Sequence, residues 1–522
     1  MKILTAILIC GFGTLLTSCS NDDNANGSSK ARQSIVILFE TDVHCVINDY
    51  ARIAGLRDAI ADTAWAALVS SGDFLQGSTP GAISHGQYII DIMNSMHYDA
   101  VTLGNHEFDY GVPRMQELLH GFNAPVVCCN YTDMQGNCIY APYTIREYGS
   151  RKVAFVGVLT PYTELEGERF AFHDDKGQSV YTLHEQEYTD MVQQAVDEAR
   201  SQGADYVVLL SHTGEDTQFT PYKHLTSNHI ISTTHDIDVV LDGHSHNVVD
   251  TLVTNSEGKQ VPLLNTGAYF TNIGKLWIGA DGQMDIKLIP AGEVTQVSQK
   301  VEAEIQQVNQ NVAEMTGHVV VHSDYPLVVS DANGGSLARR QETNACDLTT
   351  DALRWLMNSD ICMLLGGSIR QSIQAGDITY GDIINMLPFD NNVIKIQATG
   401  DLIMEVLCQN ALPDGDSNFP QVSGLRYTIN IADSSITDVE VLQADGSYAP
   451  LSPTDTYTIA STDYATLEGG FRDLFAGCTV LQYTTTLYRD ALVQYITDVL
   501  GGDISQQYAE PQGRINFIYN LE

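Results

Sequence analysis

Hydrophobic residues fall into short unbroken runs along the first half of the chain. SIVILFE (34–40), AALVSS (66–71), DAVTL (99–103), APVVCCN (124–130), RKVAFVGVLT (151–160), DYVVLLS (205–211) and IDVVLDG (237–243) each end in or run into polar residues or glycine. Continuous apolar runs of this length predict strands buried on both faces, because a strand with one wet face would alternate. Between them, ARIAGLRDAIAD (51–62), QYIIDIMNSM (87–96) and YTDMVQQAVDEARSQG (188–203) place apolar residues three and four apart, which predicts helices. Strands alternating with helices imply a layered α/β domain.

The pattern changes at residue 297. In VSQKVEAEIQQVNQNVAEM (297–315), Val301, Ile305, Val308, Val312 and Met315 form a single apolar stripe on an otherwise polar helix. This predicts a linker helix over 297–318, dividing a domain at 33–296 from a smaller α/β domain at 319–522 that has helices at 346–358 and 486–500. A chain of 522 residues is long enough for such a division.

Composition limits the partners. The formal net charge is −39, so a general basic surface for nucleic acid polymers is excluded. An anionic small molecule would need local positive charge from arginine or metal. At the N-terminus, Lys2 precedes an apolar run over 3–16, too short to span a bilayer, and Leu16-Thr17-Ser18-Cys19 resembles a bacterial lipobox. The expectation is a signal peptide at 1–18, a lipid-modified Cys19 and a flexible tether over 19–32. That describes an exported lipoprotein, periplasmic or cell-surface, held to the membrane by its lipid. Export permits disulfides, and a bridge from Cys128 or Cys129 to Cys138 fits the spacing.

The candidate chemistry sits just past the strands. The first run delivers Asp42 and His44, the second Asp73 and the third Asn105 with His106. DYVVLLS delivers His212, and IDVVLDG delivers His244 and His246. The carboxyl edge of an open α/β sheet is where ligands bind. Carboxylates and imidazoles suit hard and borderline divalent cations. The set is large enough for two ions roughly 3.5–4 Å apart, which activate water and clamp a phosphoryl group.

Taken in order, DxH, GDxxxGS, GNHExDxG, SHxG and GHSH resemble the motifs of the calcineurin-like metallophosphoesterases. In the second domain, RRQETN (339–344), GGSIRQSIQAGDITYGDIINMLPFDN (366–391), FPQVSGLRY (419–427) and QGRI (512–515) are similar to segments of the 5′-nucleotidase and UDP-sugar hydrolase family. The resemblance implies a four-layer α/β/β/α metallophosphoesterase domain, a linker helix and an α/β substrate-binding domain, with the linker letting the two reorient. It implies two divalent ions, whether Zn, Mn, Mg or Co. Asp42, His44, Asp73 and His246 would hold one, and Asp73, Asn105, His212 and His244 the other. His106 would stabilise the transition state, oriented by Asp109, while Glu107 is structural. Arg370 would bind phosphate or the adjacent substrate oxygens, with Arg340 as a candidate partner; Phe419 would stack a nucleobase, and Tyr464, one residue offset from the family's second aromatic, could stack as well.

The chain departs from the family pattern where base and ribose are read. TDYATLEGGFRDLF (462–475) has Phe471 where the family carries an Asp, with Asp473 two positions late. Leu365 replaces the Asn before the Gly-rich turn, Cys346 and Asp347 replace a Gly-Asn pair, and Cys45 replaces a glycine. The expected reaction is hydrolysis of nucleoside 5′-monophosphates, extending to nucleotide-sugar pyrophosphates. The rivals are a phosphoesterase for 2′,3′-cyclic nucleotides or non-nucleotide esters, and a surface nucleotide-binding lipoprotein without turnover.

Overall fold

A computed structural model describes residues 34–165, 169–173, 178–215, 222–504 and 507–519. The signal, lipobox and tether at 1–32 lie outside the described residues.

Two sheets form the first domain. In one, Ile35–Glu40 runs parallel to Trp65–Ser70, which pairs with Ala100–Val101, and antiparallel Asn272–Ile278 and Met284–Pro290 complete the other edge. In the second, Arg151–Leu159, Tyr206–His212, Val239–Asp242 and Gln260–Thr266 run parallel, flanked by antiparallel Tyr143–Tyr148 and Val248–Thr254. Alternation along each strand divides the core. Ile35, Ile37 and Phe39 join Phe155, Val208, Leu210 and Leu241 between the sheets. Val36 and Leu38 pack outward with Ile53, Ile90 and Met93 of the helices Tyr50–Ala61 and Gln87–Met96. Val156, Val158, Val207 and Leu209 pack under Val192, Ala195 and Val196 of the helix Tyr188–Ser201. The continuous apolar runs are thus strands covered on both faces, in the order α/β/β/α.

The run at 124–130 is not a strand of either sheet. Val126 and Val127 make only isolated bridges, to Val101 and Ala141. The segment crosses between the sheets: Val127 donates to Val101 O at 2.9 Å, Cys128 to Ala141 O at 2.9 Å and Cys129 to Gly157 O at 2.8 Å. Its apolar side chains are buried, as the pattern requires, but its backbone pairs are split among three partners. The eight described cysteines, Cys128, Cys129 and Cys138 among them, are free thiols, so the expected bridge is absent.

The helix Gln299–Thr316 matches the predicted linker, but its stripe is not idle. Val301, Ile305 and Val308 are buried in the same cluster as Ile53 and Met93 of the first domain. Only near its end, at Met315, does the stripe reach solvent, with 44% exposure. The helix is therefore fixed to the first domain along most of its length.

In the second domain, a five-stranded sheet runs in the order Pro420–Ser423, Ile361–Leu365, Thr456–Thr462, Asn392–Thr399 and Thr479–Leu487. Cys362, Leu364 and Ala460 face the helices Asn344–Met357 and Tyr488–Gln494. Ile361, Met363 and Ile459 face the opposite way, toward the helix Gly400–Asn410 and a four-stranded sheet. Among the described residues, no helix is long and apolar enough to cross a membrane.

The crossing at 124–130 depends on a missing side chain. A Cβ on Gly157 would lie 2.0 Å from the carbonyl oxygen of Val127, which cannot move without breaking the bridge. Gly157→Ala is expected to destabilise the protein by about 1–3 kcal/mol, the usual range for overpacking. Denaturant unfolding would measure it, and no change in the midpoint would contradict this close approach.

Candidate functional site

The parallel strands of both sheets end at one cleft. Asp42 and His44 follow Ile35–Glu40, and their N–H groups donate to the carbonyls of Gly72 at 3.0 Å and Asp73 at 2.9 Å. The loop after Trp65–Ser70 is therefore tied to the loop after the first strand. A third loop is tied in by one carboxylate. Glu107, which is fully buried, accepts from the N–H of Asp73 at 2.8 Å, Phe74 at 2.8 Å, Leu75 at 3.0 Å and Gly104 at 2.6 Å. A Cβ on Gly104 would lie 2.1 Å from Asp73 Oδ1, so glycine is required before Asn105.

These ties hold an unfavourable backbone. Asp42, His44, Asp73, His244 and His246 have φ of 52°, 49°, 58°, 76° and 59°, in the left-handed region. Each such residue costs on the order of 1–3 kcal/mol and persists only where its surroundings overdetermine it. The return is convergence. Ligand atoms of Asp42, His44, Asp73 and His246 all lie within 4.8 Å of one another. His44 Nε2 is 3.0 Å from His246 Nε2, and His212 Nε2 is 3.1 Å from Asp73 Oδ2 and 3.9 Å from Asp42 Oδ1. His244 Nδ1 lies 2.9 Å from Asn105 Oδ1.

The ring orientations are set from behind. His212 Nδ1–H donates to Ser71 O at 2.7 Å, and His44 Nδ1–H donates to Gln76 O at 3.2 Å. Both rings then turn Nε2 toward the carboxylates, and the fully buried His212 Nε2 meets Asp73 Oδ2. Burial pushes His44 and His244 down to about 3 and lowers His246 as well. These imidazoles are neutral, the form that binds metal. Burial pushes Asp42 up to about 7. Burial opposes ionisation of Asp73 too, but His212 and His106 outweigh it and hold that carboxyl well below its ordinary value. Burial likewise disfavours charge on His212, yet Asp73 and Asp42 raise it to about 10. Two buried carboxylates and the imidazoles of His44, His212 and His246 thus converge within hydrogen-bonding or ion-pairing range, a donor set that fits divalent cations.

His106 is placed differently. Its Nδ1 is 2.9 Å from Asp109 Oδ2, and its N–H donates to Asp73 Oδ1 at 2.9 Å. Its ring is part-exposed and sits 5.2 Å from the His44 ring, at the edge of the cluster. The bond to Asp109 sets the orientation of the ring.

The expected substrate residues do not assemble as the sequence suggested. Arg370 is exposed, and its guanidinium stands 5.9 Å from the Phe389 ring centroid. Arg340 lies elsewhere. Its Nε donates to Ser336 O at 3.0 Å, and it lines a groove of about 560 Å³ with Pro413, Ile431 and Phe517, whose walls include neither Arg370 nor Phe389. Phe419 is fully buried, in one apolar cluster with Leu365 and Phe471, and presents no face for stacking. Two of the departures from the family pattern therefore build the core that encloses it. Tyr464 is 47% exposed and rests against Gly469. Phe389, not singled out in the sequence, is 42% exposed beside Arg370. An aromatic after Pro388, in a turn rich in Asp and Asn, was the available signal.

Two stacked sheets thus end in one cluster of Asp, Asn and His. Residues 35–248 match the calcineurin-like phosphoesterase family and residues 319–476 match the 5′-nucleotidase C-terminal domain. The two matches together cover most of the chain, which in this order of domains is similar to the 5′-nucleotidases. The trifunctional nucleotide phosphoesterase of Bacillus subtilis is 23% identical over 517 residues, covering 89% of this chain and 34% of that protein. The chain spans about a third of the length of two Bacillus subtilis relatives. Human 5′-nucleotidase is 24% identical, covering 75% of this chain and 72% of that protein. In structure, a putative 5′-nucleotidase from Staphylococcus aureus superposes with a TM-score of 0.67 at 19% identity, covering 93% of this chain and 99% of that one.

Glu107→Gln tests the tie between the loops. Replacing one oxygen by an NH₂ turns a donor toward main-chain N–H groups that the carboxylate now accepts. The expected loss is about 1–3 kcal/mol of stability for the stranded donors, read by denaturant unfolding of the metal-free protein. Unchanged stability would mean that the loops are held by other contacts.

Proposed function

We propose that this protein hydrolyses nucleoside 5′-monophosphates to nucleoside and phosphate. Its chief support is the convergence of Asp42, His44, Asp73 and His246 on one cleft, with His212 and the His244–Asn105 pair beside them. Asp42, His44, Asp73 and His246 would hold one divalent ion, and Asp73, Asn105, His212 and His244 the other. When bound, the pair supplies an activated water and a clamp on the phosphoryl oxygens.

The chain's own groups do the rest. Asp109 keeps His106 turned so that Nε2 meets the phosphoryl oxygens and donates to them as charge builds. Arg370 offers a planar fork of donors to phosphate oxygens, in a chain whose net charge of −39 otherwise repels anions. Phe389 offers an aromatic face for the organic part of the substrate. Cys19 would carry the lipid that anchors the enzyme to a membrane, on the periplasmic or outer surface.

The roles at the metals can be separated. His106→Ala is expected to keep two divalent ions per chain and to lose about 10²–10³ in kcat, the scale of one preorganised donor. Elemental analysis beside steady-state kinetics checks both. Loss of an ion with activity would make His106 a ligand instead.

Leu365 and Phe471 are buried, so they add no polar group to read ribose or base. A surface that stacks without hydrogen bonding discriminates weakly. Several 5′-mononucleotides should therefore show kcat/KM within about tenfold, or ~1.4 kcal/mol. Phe389→Ala should raise KM for nucleotides and leave a small aryl phosphate almost unchanged. If nucleotide KM does not move, the nucleobase does not lie on Phe389, and a non-nucleotide ester becomes the better substrate class.

A further inference from the structure

One part of the contact between the two domains is a short segment, Phe389 to Asn392, that touches the loops carrying Asp73 and Asp109. Arg489 lies within the second domain with its side chain 1% exposed, and pairs with Asp390, whose side chain is 5% exposed. Arg489 also donates to Phe389 O at 2.9 Å. Breaking such a pair strands a buried charge, so Asp390 cannot turn away to solvent. The other oxygen of Asp390 accepts from Gln76 Nε2 at 2.6 Å, across the domain boundary. Gln76 belongs to the loop that carries Asp73, and its carbonyl takes the Nδ1–H of His44. Two residues on, Asn392 is fixed by Asp463, which accepts its N–H at 3.0 Å. The Asn392 side chain donates to Asp109 O at 3.3 Å, and Asp109 holds His106.

We infer that Asp390 and Gln76 are positioning residues, through which the second domain sets the orientation of His44, with Asn392 doing the same for the His106–Asp109 pair. The inference rests on the reading of His44 as a metal ligand. It means that a second domain displaced from this contact leaves His44 free to rotate about a weakened hydrogen bond. Phe389, the proposed stacking face, is adjacent to Asp390, so a substrate that engages Phe389 holds the segment where both loops need it. Substrate contact in one domain is thereby coupled to ligand geometry in the other. Groups behind a metal ligand fix its tautomer and ring orientation, and their loss typically costs 10–100-fold in metal affinity or activity.

Gln76 is the informative position because its side chain reaches Asp390 while its carbonyl, which His44 uses, survives any substitution. In the full chain, Gln76→Ala should weaken Mn²⁺ binding at one of two sites by about 10-fold or more, with a parallel fall in kcat and KM for an aryl phosphate within about twofold. Gln76→Glu sets two carboxylates against each other and should do the same. Adding Asp390→Asn to Gln76→Glu exchanges donor and acceptor, since the new amide donates across the boundary while its oxygen still serves Arg489. That double variant should recover Mn²⁺ affinity to within about threefold of wild type, as expected for directly coupled residues. Calorimetric titration of the metal-free protein gives the affinities, and thermal unfolding shows that each variant is folded. Unchanged affinity in both single variants overturns the inference. So does a folded double variant that fails to recover. Asp73→Ala separates the two levels: if it loses Mn²⁺ while the Gln76 variants do not, only the positioning role falls. If Asp73→Ala also binds two ions normally, the metal reading falls with it.

Discussion

A single buried carboxylate holds the catalytic end of the first domain together. Glu107 accepts four main-chain N–H groups, three from the Asp73 loop and one from Gly104. Charged acceptors make the stronger hydrogen bonds, and a buried N–H left without one is costly. The loop after the second strand and the turn after the third therefore cannot separate. Asp73 then meets His212 and the His106 N–H, and the His106–Asp109 pair is placed at the edge of the cluster. Removing Glu107 would free the bridging candidate and its neighbour at once.

With the loops tied, strain can be concentrated in the ligands. Five candidate ligands adopt left-handed backbone, a conformation that non-glycine residues avoid. That arrangement turns short side chains inward from separate strands. It also gathers two carboxylates around His212, while burial holds the His44 and His244 imidazoles in the neutral form that can ligate a divalent cation.

The second domain is more than a lid of separate origin. The helix Gln299–Thr316 gives most of its apolar stripe to the first domain, and the 389–392 segment reaches that domain through Asp390 and Asn392. Those contacts end on the supports of His44 and His106. A substrate spanning the cleft would meet Arg370 and Phe389 on one side and the candidate ligands on the other.

Local pattern was enough for most elements and for gathering the candidate ligands at one sheet edge. Unbroken apolar runs can be satisfied only by strands covered on both faces, and polar residues placed just beyond such strands must gather at one sheet edge, so Asp42, His44, Asp73, Asn105, His212, His244 and His246 were readable in order. Glu107 was readable as structural, though not the four N–H groups it gathers, because three of them come from a loop over thirty residues away. The run at 124–130 shows the limit for the fold: its burial followed from composition, but its pairing was divided between two sheets, which depends on the gap between them. Phe419 shows the limit for the site. Its motif suggested a stacking face, whereas Leu365 and Phe471, distant in sequence, enclose it, and the exposed ring beside Arg370 is Phe389. An aromatic side chain looks the same in sequence whether it is core or binding surface. Its exposure is settled by packing from residues far along the chain, and that became visible only once the domains were assembled.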